Sequence, residues 1–233
     1  MERHTLRVIA RIHSDFPSKF GIPRQSGLVD ALRARVVFEP EYRVAEAVRG
    51  LEEFSHIWLI WQFSRAVRED WSPTVRPPRL GGNRRLGVFA TRSPFRPNAL
   101  GLSVAGLERV EIDHALGPVL HVTGADLLDG TPIYDVKPYL PYADAHPEAL
   151  GGFTDQTPRR RLETRCPEAL LARVPPEKRD ALLGVLAEDP RPSYQSDPDR
   201  VYGMAFAGVE VRFTVAGEIL TVVDIISEPK ARK

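Results

Sequence analysis

The 233-residue sequence predicts a mainly β protein: an antiparallel sheet or barrel over roughly the first 140 residues, followed by a smaller α+β unit. Three observations carry that expectation. Short apolar runs with a two-residue period recur through the first part and are separated by loops rich in Gly and Pro. Almost nothing between them has the 3.6-residue period of a helix. After about Pro147 the composition shifts, and one helical pattern is followed by two strand patterns.

The elements follow in order. LRVIARIH alternates through Leu6, Val8 and Ile12, and ARVVFEP reads as a second strand. EYRVAEAV (41–48) is the one helical candidate of the first part, because Val44, Ala45 and Val48 fall on one side of a 3.6-residue period. SHIWLIWQF is apolar on both alternating faces, so both should be covered, within a barrel wall or under a partner subunit. LGVFAT, GLSVAGLERVEI, PVLHVTGADLL and YDVKPYL complete the strands, giving a first domain over 5–145. ALGGFTDQTPRRRLETRCPEA reads as a linker (146–165), and 166–233 as a small α+β domain. In that domain EKRDALLGVLAE (177–188) is an amphipathic helix stopped by the prolines of DPRPSY. VYGMAFAGVEVRFTV and EILTVVDIIS are strands joined through Ala216-Gly217.

Composition excludes several classes. The longest strongly apolar run, Ile57 to Trp61, is too short to span a bilayer, and MERHTLRVIA has no signal-peptide core. A single cysteine, Cys166, permits no internal disulfide and fits a reducing cytoplasm. The six histidines are scattered without zinc-ligand spacing, so no metal is expected. There is no GxGxxG after a strand and no GxxxxGK[ST], so neither a Rossmann site nor a P-loop is supported.

Charge is the more informative signal. Net charge is only +1, yet Val75 to Asn98 carries six arginines (76, 79, 84, 85, 92, 96) and no acidic residue. Proline fixes φ and glycine permits positive φ, so this is a shaped loop presenting guanidinium forks, suited to phosphates, carboxylates or a nucleic-acid backbone. A solvated arginine face is the plain alternative. Three more blocks stand out. FGIPRQSGL (20–28) sets Pro23, Arg24 and Gln25 between glycines, either as a surface turn or as a guanidinium and an amide that can hold a carboxylate or an adenine edge. RGLEEFSHIWLIW (49–61) begins its strand at His56, a position where a structural histidine bonding a carbonyl is equally natural. DLLDGTPIYDVKPYLPYAD (126–144) contains Asp129-Gly130-Thr131-Pro132, which has the form of a turn. Asp126, Asp129, Asp135 and Lys137 lie close together there, and a structural ion-pair group would also account for them.

In this order and spacing the four blocks resemble the TrmO/YaeB family of TsaA-like proteins, closely over residues 5–145 and more loosely through DPRPSY (189–194). The resemblance implies a small closed antiparallel β-barrel that works as a cytoplasmic homodimer. It implies methyl transfer from S-adenosyl-L-methionine to the exocyclic nitrogen of threonylcarbamoyladenosine, in the tRNA anticodon loop. Carried over residue by residue, it places Pro23, Arg24, Gln25, His56, Ile57, Arg92, Leu102, Asp129, Gly130, Thr131 and Pro132 at the cofactor. Arg92 is then the candidate for the methionyl carboxylate, at the end of a strand. Arg76, Arg79, Arg84 and Arg85 are assigned to the tRNA backbone, and Phe95 either to stacking on a base or to pinning the loop. The acceptor nitrogen belongs to a urea-like linkage and must lose its proton, so Asp129 as base and Lys137 as an anion-stabilising group are the catalytic candidates. A noncatalytic nucleic-acid-binding barrel, or a small-molecule-binding barrel, is the competing reading.

Overall fold

The structure is a computed structural model describing residues 2, 4–67, 70–77, 80, 84–157, 159–192, 195 and 197–227. Arg79, and Ser193 and Tyr194 of DPRPSY, lie outside the described residues.

Six strands close a barrel: β1 (Ala10–His13), β2 (Arg33–Phe38), β3 (His56–Gln62), β6 (Leu100–Asp113), β7 (Gly117–Thr123) and β8 (Pro132–Pro138). Their order around the wall is β1-β2-β7-β6-β3-β8, and every neighbouring pair is antiparallel. Closure removes the exposed sheet edges that an open sheet would leave. Inward positions alternate along the strands, so Ile57, Leu59 and Trp61 of β3 meet Ile12, Val36, Leu120 and Ile133 in one core. Between β3 and β6 a two-stranded ribbon, β4 (Thr74–Val75) with β5 (Leu86–Gly87), stands off the barrel.

The second sheet has the order β10-β11-β12-β9, made of β9 (Glu163–Arg165), β10 (Tyr202–Phe206), β11 (Val209–Ala216) and β12 (Ile219–Ser227). β9 runs parallel to β12 and lies inside the stretch expected to be a linker. Three helices complete the described fold: α1 (Pro141–Asp144), α2 (Glu168–Leu171) and α3 (Arg179–Ala187). α3 covers the second sheet with Ala181, Leu182, Val185 and Leu186. Phe16, Val29 and Leu32, from the segment between β1 and β2, are buried in this second core, so the two units share apolar packing. The Lys178 ammonium and the Asp15 carboxylate add an ion pair at 2.6 Å, with both side chains largely buried.

Several elements differ from expectation. Residues 41–48 form no α-helix; short 3₁₀ turns occupy Pro40–Tyr42 and Ala45–Val48, with Val44 extended between them. Eight residues with only Val48 buried have too little packing to offset the cost of nucleating a helix. VYGMAFAGVEVRFTV is two strands, because Ala207 and Gly208 both take positive φ (48° and 80°) and make a two-residue hairpin turn. LGVFAT pairs only at Leu86–Gly87 before a 3₁₀ turn at Val88–Ala90, so Arg92 sits on a loop and not at a strand end. Of LRVIARIH only Ala10–His13 is strand.

Candidate active site

Two concavities stand out among the described residues. One, of about 530 Å³, is lined by charges of both signs, among them the pairs Arg33 with Glu108 at 3.2 Å and Lys178 with Asp15. The other, about 810 Å³, lies at one end of the barrel between the 22–25 loop and the loop that follows β5. Its volume is in the range of small-molecule and cofactor sites.

The walls of the second groove come from loops fixed to the scaffold. Gly21 has φ of +94°, and a Cβ there would lie 2.2 Å from the Met204 sulfur, so a glycine is required for the chain to turn against the second core. That turn sends Ile22, Pro23, Arg24 and Gln25 along the groove. Opposite them, the 91–96 loop is held by its own side chains: Thr91 Oγ1 donates to the Val88 carbonyl (2.8 Å), and Arg96 donates to the Thr91 carbonyl (3.1 Å). The Arg92 guanidinium donates to Gln25 Oε1 and clasps the two walls together.

The floor is polar, and it is built from inside the barrel. Ser103 and Thr131 are the two buried polar side chains among the described residues, and both line this groove. Trp61 Nε1–H donates to Ser103 Oγ (3.0 Å), whose hydroxyl donates to Asp126 Oδ1 (2.7 Å). Gly101 makes room for this relay, since a Cβ there would lie 2.3 Å from the Trp61 ring. Burial pushes the Asp126 carboxyl above the usual aspartate range, partly offset by the Ser103 hydrogen bond and the charge of Arg92. A carboxylate with a raised pKa in a groove, beside a guanidinium, is a candidate proton acceptor.

The structure brings Pro23, Arg24, Gln25, Arg92, Leu102 and Thr131 to this groove. It places the other expected residues elsewhere. Asp129 Oδ1 accepts the Ser14 N–H (3.1 Å) and faces His13 (3.5 Å), so the carboxylate serves the β1 side of its turn. Gly130, with φ of +74°, and Pro132 shape that turn, and the Gly130 N–H donates to the Ile12 carbonyl (2.8 Å). Lys137 pairs with Asp135 at 3.0 Å and is the cross-strand neighbour of Trp58 on the outer face. His56 is also on that face; its ring packs on Tyr139, which packs on Trp58 of the groove wall. The Ile57 side chain is fully buried inside the barrel. Arg76, Arg84 and Arg85 are exposed on or beside the ribbon, and none pairs with a described carboxylate. Phe95 is part-buried, with its N–H bonded to Ser93 Oγ and its carbonyl accepting from Ser72.

Sequence reasoning grouped Asp126 with its acidic neighbours and missed its place on the groove floor. The available signal was Ser103, a polar residue at an inward position of a strand otherwise lined by Gly101 and Ala105.

A closed antiparallel barrel with an arginine-clasped, cofactor-sized groove at one end defines a class of ligand-binding barrel distinct from Rossmann-like enzymes. The chain belongs to the tRNA-methyltransferase O family: residues 11–145 match its N-terminal domain and residues 161–228 its C-terminal domain. It is 40% identical over 215 residues to a tRNA (adenine(37)-N6)-methyltransferase of Escherichia coli, covering 89% of this chain and 91% of that protein. It is 51% identical over 162 residues to a tRNA (adenine(37)-N6)-methyltransferase of Eikenella corrodens, covering 70% of this chain and 91% of that protein. A crystal structure of TrmO from Pseudomonas aeruginosa superposes with a TM-score of 0.79 at 33% identity, covering 97% of this chain and 99% of that one. No described helix is long and apolar enough to cross a membrane.

Proposed function

We propose that this chain is an S-adenosylmethionine-dependent tRNA (adenine-N6)-methyltransferase whose acceptor is threonylcarbamoyladenosine beside the anticodon. The observation that carries the reading is one groove joining an Arg92–Gln25 clasp to a buried Ser103–Asp126 floor, opening beside an arginine-rich ribbon.

The groove's donor set fits the cofactor. Arg92 and Arg24 offer guanidinium forks for the methionyl carboxylate, and the Gln25 amide and the loop backbone suit an adenine edge. When bound, S-adenosylmethionine supplies a methyl carbon already activated by its sulfonium. What remains for the chain is alignment and removal of one proton. The acceptor nitrogen is conjugated with a carbamoyl group, so its lone pair becomes available as that proton leaves. Asp126, and not Asp129, is the group we assign to accept it, with Ser103 holding the carboxylate and Trp61 holding Ser103. We assign Lys137, the cross-strand neighbour of Trp58, to the threonyl carboxylate of a substrate lying over Trp58. Arg76, Arg84 and Arg85 follow the phosphate backbone.

The working unit is a homodimer. Leu102 is 55% exposed and Leu100 36% on the outer face of β6, beside Trp58 and Ile60 of β3, and a second copy on this face would cover them. His56 shares that face, so such a copy would also bring the His56 end of β3 to a composite groove. A cytoplasmic location follows from the tRNA substrate and agrees with the single cysteine.

The test is methyl transfer from isotopically labelled S-adenosylmethionine to anticodon stem-loops with and without the threonylcarbamoyl group. Label incorporated only into the modified stem-loop supports the reading. No incorporation by folded protein at saturating cofactor overturns it.

A further inference from the structure

At the rim of the groove the structure holds an aromatic pair that neither core needs. Trp71 and Phe89 stack with ring centroids 5.9 Å apart and planes inclined by 26°. The two residues are distant in sequence and are brought together by the ribbon: Thr74 pairs with Gly87 and Val75 with Leu86, so the chain on either side of the ribbon meets. The Val88 N–H to Pro73 carbonyl bond (3.0 Å) closes the same base. Val88 is buried as the anchor of this corner, whereas Phe89 is 70% exposed and Trp71 48% exposed. Two large rings left this open lose most of the stabilisation that burial would give them.

The surroundings indicate what covers them. The Arg96 guanidinium lies 6.0 Å from the centre of the Phe89 ring. Arg84 and Arg85 lie on the same ribbon, and the segment from Val75 to Asn98 has no acidic residue. An exposed aromatic stack beside guanidinium groups that pair with no described carboxylate has the composition of a single-stranded nucleic-acid platform, where a base covers the ring and phosphates meet the cations. Phe89 is on the groove wall while Trp71 lies outside it. The stack therefore starts at the groove and leads away from it.

We propose that Trp71 and Phe89 form a stacking platform for a nucleobase flanking the reactive adenosine, holding the anticodon loop splayed so that the target base enters the groove. This deepens the tRNA reading above and rests on it. The shared chemistry is a purine or pyrimidine face; the occupant is a base of the RNA, not the adenine of the cofactor, because the platform continues beyond the groove. Stacking on an aromatic contributes without ion release, so its signature differs from that of the neighbouring arginines.

The experiment compares wild type, Trp71→Leu and Trp71→Phe, because Trp71 lies outside the cofactor groove. Affinity for a threonylcarbamoylated anticodon stem-loop is measured by fluorescence anisotropy over a salt series, and S-adenosylmethionine affinity by calorimetry. The proposal expects Trp71→Leu to weaken RNA binding roughly five- to hundredfold with an unchanged salt slope, Trp71→Phe to stay near wild type, and cofactor affinity to be the same in all three. RNA affinity in Trp71→Leu equal to wild type would overturn it, and so would a parallel loss of cofactor affinity. If wild type itself fails to bind the stem-loop, the tRNA reading fails as well; if wild type binds and Trp71→Leu binds equally, only the platform fails. Photo-crosslinking of wild type to a stem-loop carrying 5-iodouridine beside the modified adenosine gives an independent check. Crosslinks at Trp71 or Phe89 are expected, and crosslinks confined to other residues would contradict the platform.

Discussion

Replacing Asp126 by Asn separates the chemistry of the groove floor from its architecture. Asn keeps the oxygen that accepts the Ser103 hydroxyl, so the Trp61–Ser103–126 relay can persist while the negative charge is lost. If Asp126 accepts the acceptor-nitrogen proton, the single-turnover methylation rate should fall by roughly two to four orders of magnitude, the usual worth of a positioned base. The pH profile gives a second handle. Asp126 acts when ionised and its pKa is raised by burial, so activity should rise with pH along a limb lying above the ordinary aspartate range. The variant should lose that limb. Stability should move the other way: a carboxyl whose folded pKa exceeds its unfolded one binds protons more strongly when folded, so stability falls as pH rises from the unfolded pKa through the folded one. Asp126→Asn should abolish that loss and be at least as stable as wild type at neutral pH. The assay is single-turnover transfer to modified stem-loop with enzyme and cofactor saturating, run across pH beside thermal melts. A rate within about threefold of wild type, a barrier change below ~1 kcal/mol, with the acid limb intact, would refute the assignment.

Other outcomes follow from the same geometry. Arg92→Lys should weaken cofactor binding by roughly tenfold by calorimetry, because an ammonium cannot reproduce a fork that spans a carboxylate and Gln25. Gly101→Ala should cost about 1–3 kcal/mol in denaturant melts, since the new methyl displaces the Trp61 ring; unchanged stability would mean that the ring moves freely. Arg84→Ala with Arg85→Ala should reduce the slope of log affinity against log salt by on the order of one to two units while sparing the cofactor. Leu102→Glu should shift the protein to monomer in sedimentation if the outer face of β3 and β6 is the subunit contact.

What the sequence revealed follows from which forces act locally. The strands of the barrel were legible because alternation at Ile57, Leu59 and Trp61 is imposed by a single buried face. The two-faced apolarity of the same strand is not matched by burial on both faces: Trp58 and Ile60 remain part-exposed, with Trp58 lining the groove and donating to Asp144. The 41–48 helix failed because periodicity was present without a surface to pack on. The second hairpin was missed because its turn uses Ala207, a residue that rarely takes positive φ. Within the site, Arg24, Gln25 and Arg92 could be named because their blocks are distinctive, yet their meeting across a groove depends on how the 14–32 segment docks on the second core. Asp126 and Asp129 are three residues apart and chemically identical in sequence. Only the inward turn of one, onto Ser103, distinguishes them.

The central claim is that one groove brings together Arg92, Gln25 and Asp126 around methyl donor and acceptor. A crystal structure of the protein with S-adenosylhomocysteine and a modified anticodon stem-loop tests it most directly. The account predicts the amino-acid carboxylate of the ligand on Arg92, with the acceptor nitrogen within hydrogen-bond reach of Asp126, about 2.6–3.2 Å or through one water. The ligand seated instead in the charged cleft beside Arg33 and Lys178, or an acceptor nitrogen facing Asp129 with Asp126 remote, would contradict it.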